Sequence, residues 1–142
     1  MENDNMRNFA ALLILGLLLS GCSPLSSKFE PIVSDIQKGV ITLTTNGAVA
    51  LPPRFANLAP RGEIYAEKKS DGRLLVLFPT WYGRGNDIQG LLYCSASLLP
   101  TDFYTVDWGA GGKQQHMDFA GRDLLRVTEN KAHWYNVTRR LD

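Results

Sequence analysis

Glu63-Ile64-Tyr65-Ala66-Glu67-Lys68, then Ser70-Asp71-Gly72, then Arg73-Leu74-Leu75-Val76-Leu77-Phe78 is the passage on which the fold turns. Its first part alternates apolar and polar side chains, the period of a strand with one face turned inward. Ser-Asp-Gly is turn chemistry: the Asp carboxylate can bond its own backbone two residues on, and Gly tolerates positive φ. The chain then returns as an almost continuous apolar run too short for a buried helix. Such a run is expected of a central strand covered on both faces. Together they predict a β-hairpin.

Outward from this hairpin the punctuation stays that of strands. Upstream, Val40-Ile41-Thr42-Leu43-Thr44-Thr45 is rich in β-branched residues, Asn46-Gly47 follows, and Ala48-Val49-Ala50-Leu51 comes next, which reads as a two-residue hairpin. Pro52-Pro53 ends it, and residues 54–61 read as a loop or short helical turn. Downstream, residues 79–87 read as a glycine-rich loop, 91–97 as a buried strand, 103–106 as a short strand and 108–113 as a second glycine-rich loop. Residues 124–128 and 133–138 pair as a last hairpin about a turn at Glu129-Asn130-Lys131. Ile32, Val33 and Ile36 have helical spacing, so one short helix is expected near residues 31–38. Many short strands with regular turns predict an all-β, mainly antiparallel domain over residues 29–142, a small sandwich or barrel.

Fifteen Lys and Arg against fourteen Asp and Glu leave a net charge of +1. A nucleic-acid surface calls for a strongly basic patch, so no nucleic-acid partner is expected.

The N-terminus carries a different message. Residues 9–19 form an apolar run of eleven, too short to span a bilayer as a helix, which takes about 20 residues. Small residues and a cysteine follow: Leu19-Ser20-Gly21-Cys22 resembles the lipobox of bacterial lipoproteins. The resemblance implies a signal peptide over residues 1–21, diacylglycerol on the Cys22 thiol, cleavage before Cys22 and acylation of the new amino group. Met6-Arg7-Asn8 makes a better signal start than Met1, because acidic residues precede it. Two or three acyl chains hold a protein to a membrane stably where one does not. Ser23, where Asp would favour inner-membrane retention, points to the outer membrane and the periplasm. Residues 22–28 read as a lipid-anchored tether.

With Cys22 consumed by lipid, Cys94 has no partner in the chain, and its apolar neighbours predict a buried, inert thiol. His116 and Asp118, two apart on a strand, with His133 later, are too few for a zinc site without Cys94 or Asp123. Nothing resembles a nucleophile elbow, and residues 108–113 lack the spacing of a phosphate-binding loop. No catalytic residue, metal or cofactor is therefore assigned. Aromatic side chains cluster in the loops, and loops on a rigid sheet are where binding surfaces form. Trp81, Tyr82, Arg84 and Trp108 are the expected contact residues, and Trp134 the core tryptophan. The sequence reads as a lipid-anchored, non-enzymatic module that binds or scaffolds an envelope protein or cell-wall glycan. The competing reading is a small hydrolase using loop aspartates (Asp87, Asp102, Asp107, Asp118) with His116 or His133.

Overall fold

A computed structural model of the protein describes residues 25–43, 47–85, 87–124 and 126–139. The lipobox, Cys22 and the signal segment lie outside the described residues. Among the described residues, nine strands form two antiparallel sheets: β1 (Gly47–Ala50), β2 (Glu63–Lys68), β3 (Leu74–Tyr82), β4 (Ile88–Cys94), β5 (Phe103–Asp107), β6 (Lys113–Phe119), β7 (Arg122–Leu124), β8 (Arg126–Lys131) and β9 (Trp134–Arg139). The large sheet runs β1-β2-β3-β4-β9-β8, and the small one β5-β6-β7. One helix, α1 (Glu30–Gln37), completes the fold. The all-β class is as expected from the sequence.

The expected central strand is β3. Alternate side chains of its apolar run serve two cores. Val76 and Phe78, with Ile64, Leu91 and Trp134, meet α1 through Phe29, Ile32, Val33 and Ile36. Leu75 and Leu77, with Tyr65, Ile88, Leu92, Cys94 and Val137, meet Met117, Phe119 and Leu124 of the small sheet. The molecule is thus three layers, helix on large sheet on small sheet. Each fully buried Leu or Phe contributes about 1.5–3 kcal/mol, so β3 anchors both interfaces. Phe29 stacks on Phe78 with ring centroids 4.6 Å apart, which locks the entry to α1. The helix ends where Gly39, at φ 74°, returns its N–H to the Ile36 carbonyl.

The β2–β3 hairpin closes as read. The N–H of Lys69 donates to the Arg73 carbonyl at 2.8 Å, and Asp71 Oδ1 accepts the Arg73 N–H at 3.0 Å. A joint then ties this hairpin to the start of β5. The Arg73 guanidinium donates to both Asp102 oxygens at 2.7 and 2.8 Å, to Asp71 at 2.8 Å and to the Ser97 carbonyl at 3.0 Å. Its side chain and that of Asp102 are 11% and 4% exposed.

Several local expectations are corrected. Residues 40–43 are not strand, and β1 pairs with β2 across a 3₁₀ turn at Pro53–Leu58. Thr44, Thr45 and Asn46 lie outside the described residues. The tether expected to Lys28 is a 3₁₀ turn from Leu25, with Ser26 fully buried. Trp81 and Tyr82, expected in a loop, end β3. The last hairpin turns at Ala132 and His133, with His133 at φ 70°, because β8 extends to Lys131.

Candidate functional site

The outer face of the small sheet carries the densest chemistry. Met117, Phe119 and Leu124 point into the core, so by strand alternation Gln114, His116, Asp118 and Asp123 point outward. Tyr104 stands directly opposite His116 across the β5–β6 ladder, and Asp118 directly opposite Asp123 across β6–β7. Asp123 is therefore the diagonal neighbour of His116, within reach of a side chain.

These groups form one network. His116 Nδ1 lies 2.8 Å from Asp123 Oδ2, and the Tyr104 hydroxyl donates to Asp123 Oδ1 at 2.6 Å. A carboxylate oxygen accepts only, so Nδ1 carries the ring proton. Nε2 lies 3.3 Å from the Gln114 side-chain amide. That amide gives the second ring nitrogen its polar neighbour. Asp123, by accepting the phenol's proton, pushes the Tyr104 pKa up to about 12.

Two rings neighbour the imidazole. Tyr104 and Trp108 lie with centroids 5.7 and 6.3 Å from it. They cover His116 to 2% exposure while remaining 44% and 56% exposed themselves. Trp108 is held by its loop: Asp107 Oδ1 accepts the Gly109 N–H at 2.9 Å, and the Trp108 N–H donates to the Gly112 carbonyl at 2.9 Å. A cleft of about 370 Å³ adjoins Tyr104, lined also by Lys69, Ser70, Arg73, Asp102 and Asp118 among others.

The other sequence-predicted residues lie elsewhere. At Pro79/Trp81 the β3–β4 register shifts by one residue, so Trp81 pairs with Gln89 and Tyr82 with Ile88. The bulge turns Tyr82 into the second core, under Arg61 with its guanidinium carbon 3.9 Å from the ring centroid. It leaves Trp81 on the helix side, 42% exposed. Arg84 is exposed in the following loop. Trp81 and Trp108 are thus separated by the layers and make no common surface. Trp134 is core, at 3% exposure.

Gly83 and Gly90 are required by this bulge. A Cβ on Gly83 would fall 2.2 Å from the Trp81 ring, and one on Gly90 2.3 Å from the Phe78 carbonyl oxygen.

Of the loop aspartates, Asp102 belongs to the Arg73 joint, Asp107 caps its loop, and Asp118 alone reaches the outer face of the small sheet. The carboxylate at His116 is Asp123, which the sequence reading offered only as a completing metal ligand. Its signal was Ala120-Gly121, a two-residue turn with both φ positive, at 49° and 74°, which folds β7 back on β6. His133 sits at the β8–β9 turn, its Nδ1 donating to the carbonyls of Cys94 and Ala96 at 3.0 and 2.8 Å. The two histidines are thus apart. Cys94 is free and buried. Among the described residues no group of three or more metal-ligating side chains gathers, and no helix is long and apolar enough to cross a membrane. Compared with protein-family models, curated proteins and solved structures, the chain matches none.

Proposed function

We propose that the chain is a lipid-anchored envelope protein that binds cell-wall glycan through the outer face of its small sheet, held at the outer membrane by lipid on Cys22. The observation that carries the binding reading is the pair of exposed rings, Tyr104 and Trp108, both beside a buried, doubly hydrogen-bonded His116. Pyranose rings present a C–H face that stacks on aromatic side chains and a rim of hydroxyls that donate to carboxylates. Rigid Tyr and Trp offer large contact area at small entropic cost. Asp118 and Asp123 supply acceptors beside them.

A hydrolase reading draws less support. A His–Asp pair activates a nucleophile hydrogen-bonded to the second ring nitrogen, and at His116 that position faces the Gln114 amide.

Cosedimentation with purified cell-wall sacculi tests the binding reading, with peptide-free glycan strands as soluble competitor. Wild type should pellet and be released by the competitor, and Trp108→Ala should stay in solution. Failure of the wild type to pellet would overturn the glycan assignment. Incorporation of labelled fatty acid, lost in Cys22→Ser, tests the anchor. Equal label in both would sink it.

A further inference from the structure

The helix-side face of the large sheet is only partly covered. Three rows of side chains cross it from β3 to β8: Val76, Tyr93, Trp134 and Lys131; then Phe78, Leu91, Asn136 and Thr128; then, beyond the bulge, Trp81, Gln89, Thr138 and Arg126. The helix packs over the apolar members of the first two rows. What remains is a polar corner, a groove of about 390 Å³ lined by Leu25, Gln89, Arg126, Thr128, Asn136 and Thr138 among others. The Thr138 hydroxyl is buried there with no hydrogen-bond partner among the described residues. Leu25 at the rim and Trp81 at the end of the third row are 41% and 42% exposed.

The chain itself points to what covers this corner. Leu25 lines the groove, and Cys22 precedes it by three residues, a reach of at most about 10 Å even when fully extended. A bilayer that holds acyl chains on Cys22 must therefore pass close to Leu25. The side chains suit such a surface. Lys28, on the same 3₁₀ turn as Leu25, and Arg126 are cations for headgroup phosphates, and their stems can lie along acyl carbon. Gln89, Thr128 and Asn136 offer hydrogen bonds to headgroup oxygens. Trp81 is of the residue type enriched at the membrane–water interface.

We infer that this corner of the large sheet, from Leu25 across Gln89 and Thr128 to Trp81, rests on the headgroup surface of the membrane. The inference rests on the lipid anchor of the proposed function. Its consequence is orientation. The small sheet packs on the opposite face of the large one, and packed sheets stand about 10 Å apart. Tyr104, Trp108 and His116 then point away from the membrane, toward the cell wall.

Single nitroxide labels at Gln89→Cys, Thr128→Cys, Ala110→Cys and Asp118→Cys test this in the full-length lipidated protein. Cys94 is buried and escapes native labelling. The proteins are reconstituted in phosphatidylethanolamine and phosphatidylglycerol vesicles containing a lipid with a headgroup nickel chelate, and the N-terminal peptide is weighed in the same samples. Labels at 89 and 128 should relax several-fold faster than those at 110 and 118. Equal or reversed relaxation in acylated protein overturns the orientation and leaves the anchor standing. An unacylated Cys22 overturns the anchor, and the orientation with it.

Discussion

Two carboxylates at the small sheet hold cationic or protonatable partners, and they do so for different ends. Asp102 and Arg73 are 29 residues apart and join β5 to the β2–β3 hairpin, with the Ser97 carbonyl and the Leu99 N–H drawn into the same joint. Asp123 and His116 are seven apart on strands that the β6–β7 ladder already aligns. Remove the first pair and two distant parts of the chain lose their link; remove the second and the ladder still sets the register. The second is a polar network that the topology does not need, beside two exposed rings.

The largest expected effect falls on the joint. Asp102→Ala takes the bidentate partner from a nearly buried guanidinium and leaves it Asp71 and the Ser97 carbonyl, so the loss should be about 2–3 kcal/mol, below the full cost of an uncompensated buried charge. Urea unfolding should show that loss, a large share of a small domain's total stability. A loss below about 1 kcal/mol would make the joint incidental.

The same carboxylate gives the comparison a pH dependence. Hydrogen bonds from Arg73 hold the Asp102 carboxyl below the usual range. The folded state therefore favours the ionised form. That stability is fully present above the unfolded pKa of about 4 and is lost as pH falls through the lower folded value. The gap in unfolding free energy between wild type and Asp102→Asn should narrow below pH 4. A gap that is constant from pH 7 to pH 2 would remove Arg73 pairing as its cause.

Trp108→Ala sharpens the other side. Truncating a true anchor residue costs about 2 kcal/mol or more of binding, whereas an exposed side chain away from special contacts changes stability by about 0.5 kcal/mol or less. Sacculus affinity should fall at least about thirtyfold with the melting temperature almost unmoved. Trp134→Ala should do the reverse, since its ring packs 5.7 Å from Phe78 in the core. The smallest effect is expected for Asp123→Asn: stability within about 1 kcal/mol of wild type, with weaker glycan capture because the amide keeps an acceptor oxygen for only one of His116 and Tyr104 and turns a donor NH₂ on the other. Unchanged capture would show that Asp123 takes no part in positioning them.

The β2–β3 hairpin and its two-sided central strand were legible because periodicity, turn chemistry and burial agree there. The first hairpin was misread because residues 40–43 are not strand and β1 takes its hydrogen bonds from β2, sixteen residues further along, where the ladder continues the large sheet. The bulge at Thr80 left no local trace, yet it decides that Tyr82 is core and Trp81 is surface, since a one-residue shift exchanges faces. Trp108 was placed in a loop, where it stands. His116 was visible as a residue and invisible as a site, because its partner Asp123 is recruited by a short hairpin whose register depends on Ala120 and Gly121 both adopting positive φ.

The most direct measurement is an NMR titration of the ¹⁵N-labelled soluble domain with peptide-free glycan fragments. The account predicts that shift changes concentrate at Tyr104, the Trp108 indole, Gln114, His116 and Asp118, while Arg73 and the Trp81 indole stay still. Changes centred on Trp81 and Gln89, or none at any glycan concentration, would contradict it.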